Sequence, residues 1–144
     1  MPTDTATSTV VVAAPLASVL ETLRDVETQS EWVPEIREVE VLSRNDDGTP
    51  LTARVAASSP LGTDHYTLAY EHAPMGMTWH LVEGRLQTGQ DATYRLNPLD
   101  DDRTEVTLTL TISHNLPLPG FLRSRSIKAL AASNTGGLAK HLAG

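Results

Sequence analysis

The sequence predicts an α+β fold, a seven-stranded curved antiparallel sheet closed by a long C-terminal helix. Three observations predict it. Residues 36–114 read as one run of strands and turns. A short helical pattern precedes that run. A single long helical pattern, from about Pro119 to Leu142, follows it. A sheet must bury its apolar face against another layer, and the last helix is the only long element left to do so. One helix covers a broad curved sheet poorly, so the pattern predicts a hollow between them, suited to an apolar small molecule. The 144 residues suit one domain, read as residues 9–144 behind a disordered polar tail, residues 1–8.

The elements follow in order. Thr9-Val-Val-Val-Ala13 is the first strand. Pro15 suits the first turn of a helix, where its missing N–H costs nothing. Leu16, Val19, Leu20 and Leu23 then make one apolar stripe at helical spacing. A second short helix is predicted over Thr28 to Trp32, stopped by Pro34. Val39 and Val41 face away from Glu38 and Glu40, and Asn45-Asp-Asp-Gly48 is a hairpin turn. Leu51, Ala53, Val55 and Ala57 share a face, and Ser58-Ser-Pro-Leu-Gly62 breaks the run.

Tyr66, Leu68 and Tyr70 oppose His65, Thr67 and Glu71, and Ala73-Pro-Met-Gly76 turns the chain again. Met77, Trp79 and Leu81 oppose Thr78 and His80, with a tight turn expected at Glu83-Gly84. Ala92, Tyr94 and Leu96 oppose Thr93 and Arg95, with the next turn expected over Asn97-Pro98 and Asp100-Asp-Asp102. Val106, Leu108, Leu110 and Ile112 alternate with Thr107, Thr109, Thr111 and Ser113, the cleanest period of two in the chain. One polar face per strand means an antiparallel, half-solvated sheet.

The last helix buries Leu122, Ile127, Leu130, Ala131, Leu138 and Leu142. Its middle, Ala131-Ala-Ser-Asn-Thr-Gly-Gly137, is made of small residues. Each glycine costs about 1 kcal/mol relative to alanine in a helix interior. Two readings stand side by side: a break at Gly136-Gly137, or small side chains that leave room for a ligand.

Charge and composition narrow the function. The net charge is −7, which argues against nucleic acid as a partner. The chain up to residue 119 carries −11, while residues 120–144 hold Arg123, Arg125, Lys128 and Lys140 and no acid. No cysteine occurs, which excludes disulfides and thiolate metal sites. With no apolar stretch long enough to span a bilayer, a cytoplasmic location is expected. The five histidines show no ligand spacing, and neither a metal nor a cofactor is expected. Nucleophile elbows, P-loops and dinucleotide-binding glycine motifs are missing.

Candidate site residues come from the apolar phases of the strands and the last helix. The sheet supplies Val55, Tyr66, Leu68, Tyr70, Trp79, Leu81, Tyr94, Leu108 and Leu110. The helices supply Trp32, Leu130 and Asn134, the last in line with Leu130 and Leu138. Buried tyrosine hydroxyls and a buried asparagine need hydrogen-bond partners. His114 keeps phase with Ile112 and is a candidate acid–base group at the cavity mouth. Leu116-Pro-Leu-Pro-Gly-Phe-Leu122 is an apolar loop running into bases, so Leu118, Phe121 and Arg123 are candidate portal residues. A transient membrane-surface contact is one use for such a loop. Pro117 and Pro119 make it a fixed lip more than a floppy lid.

These residues also carry a family resemblance. Val12-Ala-Ala-Pro15 with Val19, Leu23-Arg-Asp25, Glu31-Trp32 and Val39-Glu-Val-Leu42 resemble the polyketide cyclase/dehydrase family. So do Thr78-Trp-His-Leu-Val-Glu-Gly84, Ala92-Thr-Tyr-Arg-Leu96, Arg103-Thr-Glu-Val106 and Pro117-Leu-Pro-Gly-Phe-Leu122. The family is related to START lipid-transfer domains, birch-pollen-allergen proteins and coenzyme-Q-binding proteins. The resemblance runs from about Thr9 to Leu142 and implies a helix-grip fold, a curved sheet wrapped around the C-terminal helix with a cavity between. In the family's aromatase/cyclases, a tyrosine just after the Trp-Pro stretch and an arginine on a middle strand assist aldol closure. Here those positions fall near Ile36 and Tyr70, so that catalytic assignment is not carried over.

Two functions then compete. One is binding of an apolar or amphipathic small molecule, such as a lipid, quinone or polyketide-like compound, by a monomer or weak homodimer. The other is a polyketide cyclase/dehydratase-type enzyme using the same cavity, with His114, Tyr94 or Asn134 as acid–base candidates.

Overall fold

The computed structural model of the chain describes residues 3–59, 62–115 and 117–143. Its elements run β1 (Thr3–Val12), α1 (Leu16–Arg24), a 3-10 turn (Val26–Thr28), α2 (Gln29–Trp32), β2 (Ile36–Arg44), β3 (Pro50–Ser59) and β4 (Gly62–Ala73). They continue with β5 (Gly76–Gly84), β6 (Gln87–Asp100), β7 (Arg103–His114) and α3 (Gly120–Ala143). The seven strands form one antiparallel sheet in the order β1-β7-β6-β5-β4-β3-β2. The predicted α+β helix-grip architecture is the one observed. Leu116 of the apolar loop and Pro60-Leu61 of the β3–β4 connection lie outside the described residues.

Register shifts occur in β2–β3, at Thr67/Leu68 in β4 and at both ends of β6. Such bulges bend strands and increase twist, and so help the sheet curl around α3. Gly48 closes the β2–β3 turn with φ +88°, a conformation glycine adopts without steric cost.

Four local expectations are corrected. The first strand starts at Thr3, not Thr9, so residues 3–8 of the expected polar tail are strand. Thr5, Thr7 and Thr9 meet Thr111, Thr109 and Thr107 of β7, with hydroxyl oxygens 2.9, 3.4 and 3.1 Å apart. A polar sequence here is a solvated sheet face, and threonine suits such a face. Pro15 caps α1 from outside in an extended conformation, its carbonyl accepting from the Ser18 and Val19 amides. Glu83-Gly84 ends β5, and the bend follows at residues 85–86. Asn97-Pro98 lies within β6, and the turn is Asp101-Asp102. A register shift beside Pro98 accommodates its missing N–H.

Helix α3 runs unbroken through Gly136-Gly137, so the predicted break is absent. The reason lies on α2. A Cβ on Gly137 would overlap the carbonyl oxygen of Trp32, whereas one on Gly136 would meet nothing. The space saved at Gly137 is filled by the α2 backbone rather than by a ligand.

The placement of α3 positions the site. The helix lies mainly on β1 and β7, where Ser8 touches Thr135 at 2.7 Å. Leu108 and Leu138 are fully buried. The inner face of β3 to β6 lies to one side of that contact, and large side chains fill much of it.

Candidate functional site

The inner faces of β3 to β7 meet α1, α2 and α3 around an inner chamber of about 30 Å³. These strands contribute Val55, Tyr66, Leu68, Tyr70, Met77, Trp79, Gln90, Tyr94 and Leu110. Leu23, Val26, Gln29, Trp32, Leu130 and Asn134 come from the helical side, and Ile36 from the start of β2. An outer chamber of about 150 Å³ lies between the start of α3, the end of β7 and the β3–β4 ends. Ile36, Tyr66 and Leu130 border both, so the two adjoin.

Of the residues read from the sequence, Trp32, Val55, Tyr66, Leu68, Tyr70, Trp79, Tyr94, Leu110, Leu130 and Asn134 come together around the inner chamber. Leu108 and Leu81 do not. Leu108 pairs with Ser8 on the β1 side and is packed solid near α3. Leu81 is half-buried toward the end of β5, its methyls against Gly84. Leu118 and Arg123 line the outer chamber, whereas Phe121 lines neither and is 65% exposed.

The chambers are smaller than the roughly 300–1,000 Å³ typical of ligand pockets. Aromatic rings occupy the difference. Trp79 lies 5.7 Å from Tyr94 and 6.3 Å from Tyr70, centroid to centroid.

Polar groups in the inner wall are mostly satisfied by one another. The Asn134 Oδ1 accepts from Gln29 Nε2 at 3.1 Å and from the Tyr94 hydroxyl at 3.3 Å. Asn134 Nδ2 donates to the Leu130 carbonyl at 2.9 Å. A second chain links the chambers. Trp79 Nε1 donates to Gln90 Oε1 at 2.7 Å, and Gln90 Nε2 to Gln87 Oε1 at 2.6 Å. Gln87 Nε2 then donates to the buried Asp64 carboxylate at 3.3 Å. Burial pushes the hydroxyls of Tyr66, Tyr70 and Tyr94 above the ordinary tyrosine range, so all three stay protonated donors at neutral pH.

The outer chamber is more polar. His114 and Asp64 are buried in its wall. Arg123 Nε donates to Asp4 Oδ2 at 3.1 Å and its Nη1 to the Leu118 carbonyl at 2.9 Å, tying α3 to β1 and to the loop before α3. Among the described residues, no three acidic or histidine side chains converge as a metal site requires. Gln90 and Asp64 were not singled out from the sequence. Both keep the inward phase of a candidate tyrosine, Tyr94 or Tyr66, and that phase was the signal available.

A model of the polyketide cyclase/dehydrase and lipid transport family matches residues 3–143. The chain belongs to that family. Its fold is shared with a START superfamily protein from Mycobacterium smegmatis, 23% identical over 96% of this chain and 97% of that one, with TM-score 0.88. The ZhuI aromatase/cyclase from Streptomyces sp. R1128 is 18% identical over 99% and 94% of the two chains, with TM-score 0.79. A protein from Thermus thermophilus is 21% identical over 99% and 97%, with TM-score 0.80. No curated protein matches the chain. Among the described residues, this family member has no helix long and apolar enough to cross a membrane.

Proposed function

We propose that the chain binds an apolar or amphipathic small molecule of the lipid, quinone or polyketide-like classes between the sheet and α3. One observation carries the reading. The inner chamber is walled by sixteen residues, none of them Asp, Glu, Lys, Arg or His. It adjoins an outer chamber of about 150 Å³, the size of a dry engineered cavity of about 150 Å³ that takes up benzene. An inner void of about 30 Å³ costs under about 1 kcal/mol even when empty, at about 24 cal/mol per Å³. The fold therefore does not need a ligand to stand, as suits a protein that loads and unloads. In this reading the sheet from Thr3 onward and α3 form one ligand-binding domain that works in the cytoplasm, where a chain without cysteine loses nothing.

Native mass spectrometry of the purified protein tests this by looking for a copurified molecule. Both tryptophans, Trp32 and Trp79, line the inner chamber, so their fluorescence reports filling directly. Silence in both measurements across hydrocarbons, ketones and fatty acids sinks the reading.

A second reading, a cyclase/dehydratase-type enzyme, draws on the buried His114 and Asp64 in the outer wall. It expects the protein to convert a poly-β-ketone into a dehydrated ring product, and His114→Ala to abolish that turnover. Binding without turnover leaves the first reading alone standing.

A further inference from the structure

The polar groups around the inner chamber leave a remainder. Gln29, Tyr94 and Asn134 satisfy one another, and Trp79 is met by Gln90. The indole N–H of Trp32 is buried and has no hydrogen-bond partner. The residue is only 7% exposed and lines the chamber. Its Cε3 edge lies toward Gly137 of α3, and in an indole the N–H is on the opposite edge. The Tyr70 hydroxyl, in the same wall, takes part in none of the hydrogen bonds among the described residues. A buried donor left unmet is costly, and native structures rarely keep one without a reason.

The indole N–H can only donate, so whatever meets it must accept, and the Tyr70 hydroxyl can donate to the same acceptor. A hydrocarbon accepts nothing. An anion would accept, but no cationic side chain lines this chamber, and an unpaired charge in apolar surroundings is far costlier than a neutral dipole. A neutral oxygen acceptor fits both constraints. Size adds a third: about 30 Å³ inside and about 150 Å³ outside suit one or two rings rather than a large fused system.

Resting on the ligand-binding reading above, we propose that the cavity recognises a compact neutral carbonyl compound, such as a ring ketone or small quinone. Its oxygen accepts from the Trp32 N–H, with the Tyr70 hydroxyl as the second donor in the same chamber. The rings lie against the aromatic wall and extend past Tyr66 toward the outer chamber. This favours the quinone and polyketide-like classes over simple lipids.

The test compares three probes on the intact chain by calorimetry and tryptophan fluorescence: α-tetralone, its hydrocarbon counterpart tetralin, and naphthoate. α-Tetralone is expected to bind at least about fivefold tighter than tetralin, the value of one net hydrogen bond. A purely apolar wall would prefer tetralin, which leaves water more readily. Naphthoate is expected not to bind. Trp32→Phe and Tyr70→Phe should each shrink the ketone preference while leaving tetralin affinity in place. Tyr70→Phe removes a single oxygen and keeps the test alive should Trp32→Phe fold poorly. Tetralin binding as well as α-tetralone, or a preference unmoved by both variants because water holds the donors, overturns the proposal alone. Binding of naphthoate as tightly as the ketone does the same. Failure of every probe to bind overturns the ligand-binding reading beneath it.

Discussion

Gly137 of α3 sits against the backbone of Trp32 so closely that a Cβ there would overlap the Trp32 carbonyl oxygen. Its neighbour Gly136 faces open space. The two glycines should therefore respond oppositely to alanine. Gly136→Ala should stabilise by up to about 1 kcal/mol through helix propensity. Gly137→Ala gains the same propensity but must push α2 away, and overpacking of this kind costs about 1–3 kcal/mol. A net loss is expected, read from urea unfolding midpoints. Equal stabilisation by both would mean that α2 moves freely over α3.

Asn134 holds two donors from different elements, Gln29 of α2 and Tyr94 on β6. Asn134→Ala strands both, and an unmet buried polar group costs about 1–3 kcal/mol. Tyr94→Phe removes one donor and should cost about 1 kcal/mol or less. Because the two share a bond, the double variant should lose less than the sum. Strict additivity in that cycle would show that the Tyr94–Asn134 bond contributes nothing.

Alkaline pH should unfold the protein through its buried tyrosines. The ordinary tyrosine pKa is 10.0, and burial raises those of Tyr66, Tyr70 and Tyr94 above it. Below about pH 10 both folded and unfolded chains keep these protons, so stability is unaffected. Above it the unfolded chain loses them first, and stability falls as pH rises. Each tyrosine contributes a slope of up to about 1.4 kcal/mol per pH unit. Tyrosinate absorbance should appear together with loss of circular dichroism, and Tyr70→Phe should flatten the slope. Tyrosinate forming while the fold persists would contradict this.

The strands were legible because each shows one apolar phase, and that phase placed seven of the nine strand candidates around the inner chamber. Leu108 failed for a reason that periodicity does not contain. It faces inward, but α3 presses on β1 and β7 and leaves no void there. The early start of β1 was hidden because alternating threonines read equally well as a polar tail or as the wet face of an edge strand. Trp32 was read from its aromatic character, but its unmet N–H depends on three-dimensional neighbours. The chamber's small volume was likewise out of reach, since it depends on how the rings of Tyr70, Trp79 and Tyr94 pack.

We propose that entry divides into two steps carried by different residues. Arg123 bridges Asp4 of β1 and the Leu118 carbonyl, closing one side of the outer chamber through hydrogen bonds among half-buried groups. Cutting this tie with Arg123→Ala should speed both loading and release, leaving the dissociation constant nearly unchanged. Phe121 is 65% exposed and lines neither chamber, so Phe121→Ala should not alter loading from free solution. Exposed beside it on the first turns of α3 are Arg125 and Lys128. An exposed aromatic next to bases is suited to an anionic bilayer surface. Stopped-flow tryptophan fluorescence with probe supplied from anionic vesicles should therefore show slower transfer for Phe121→Ala. Equal transfer from anionic and neutral vesicles, with no effect of Phe121→Ala on either, would remove the membrane contact and leave Arg123 as the portal's working part.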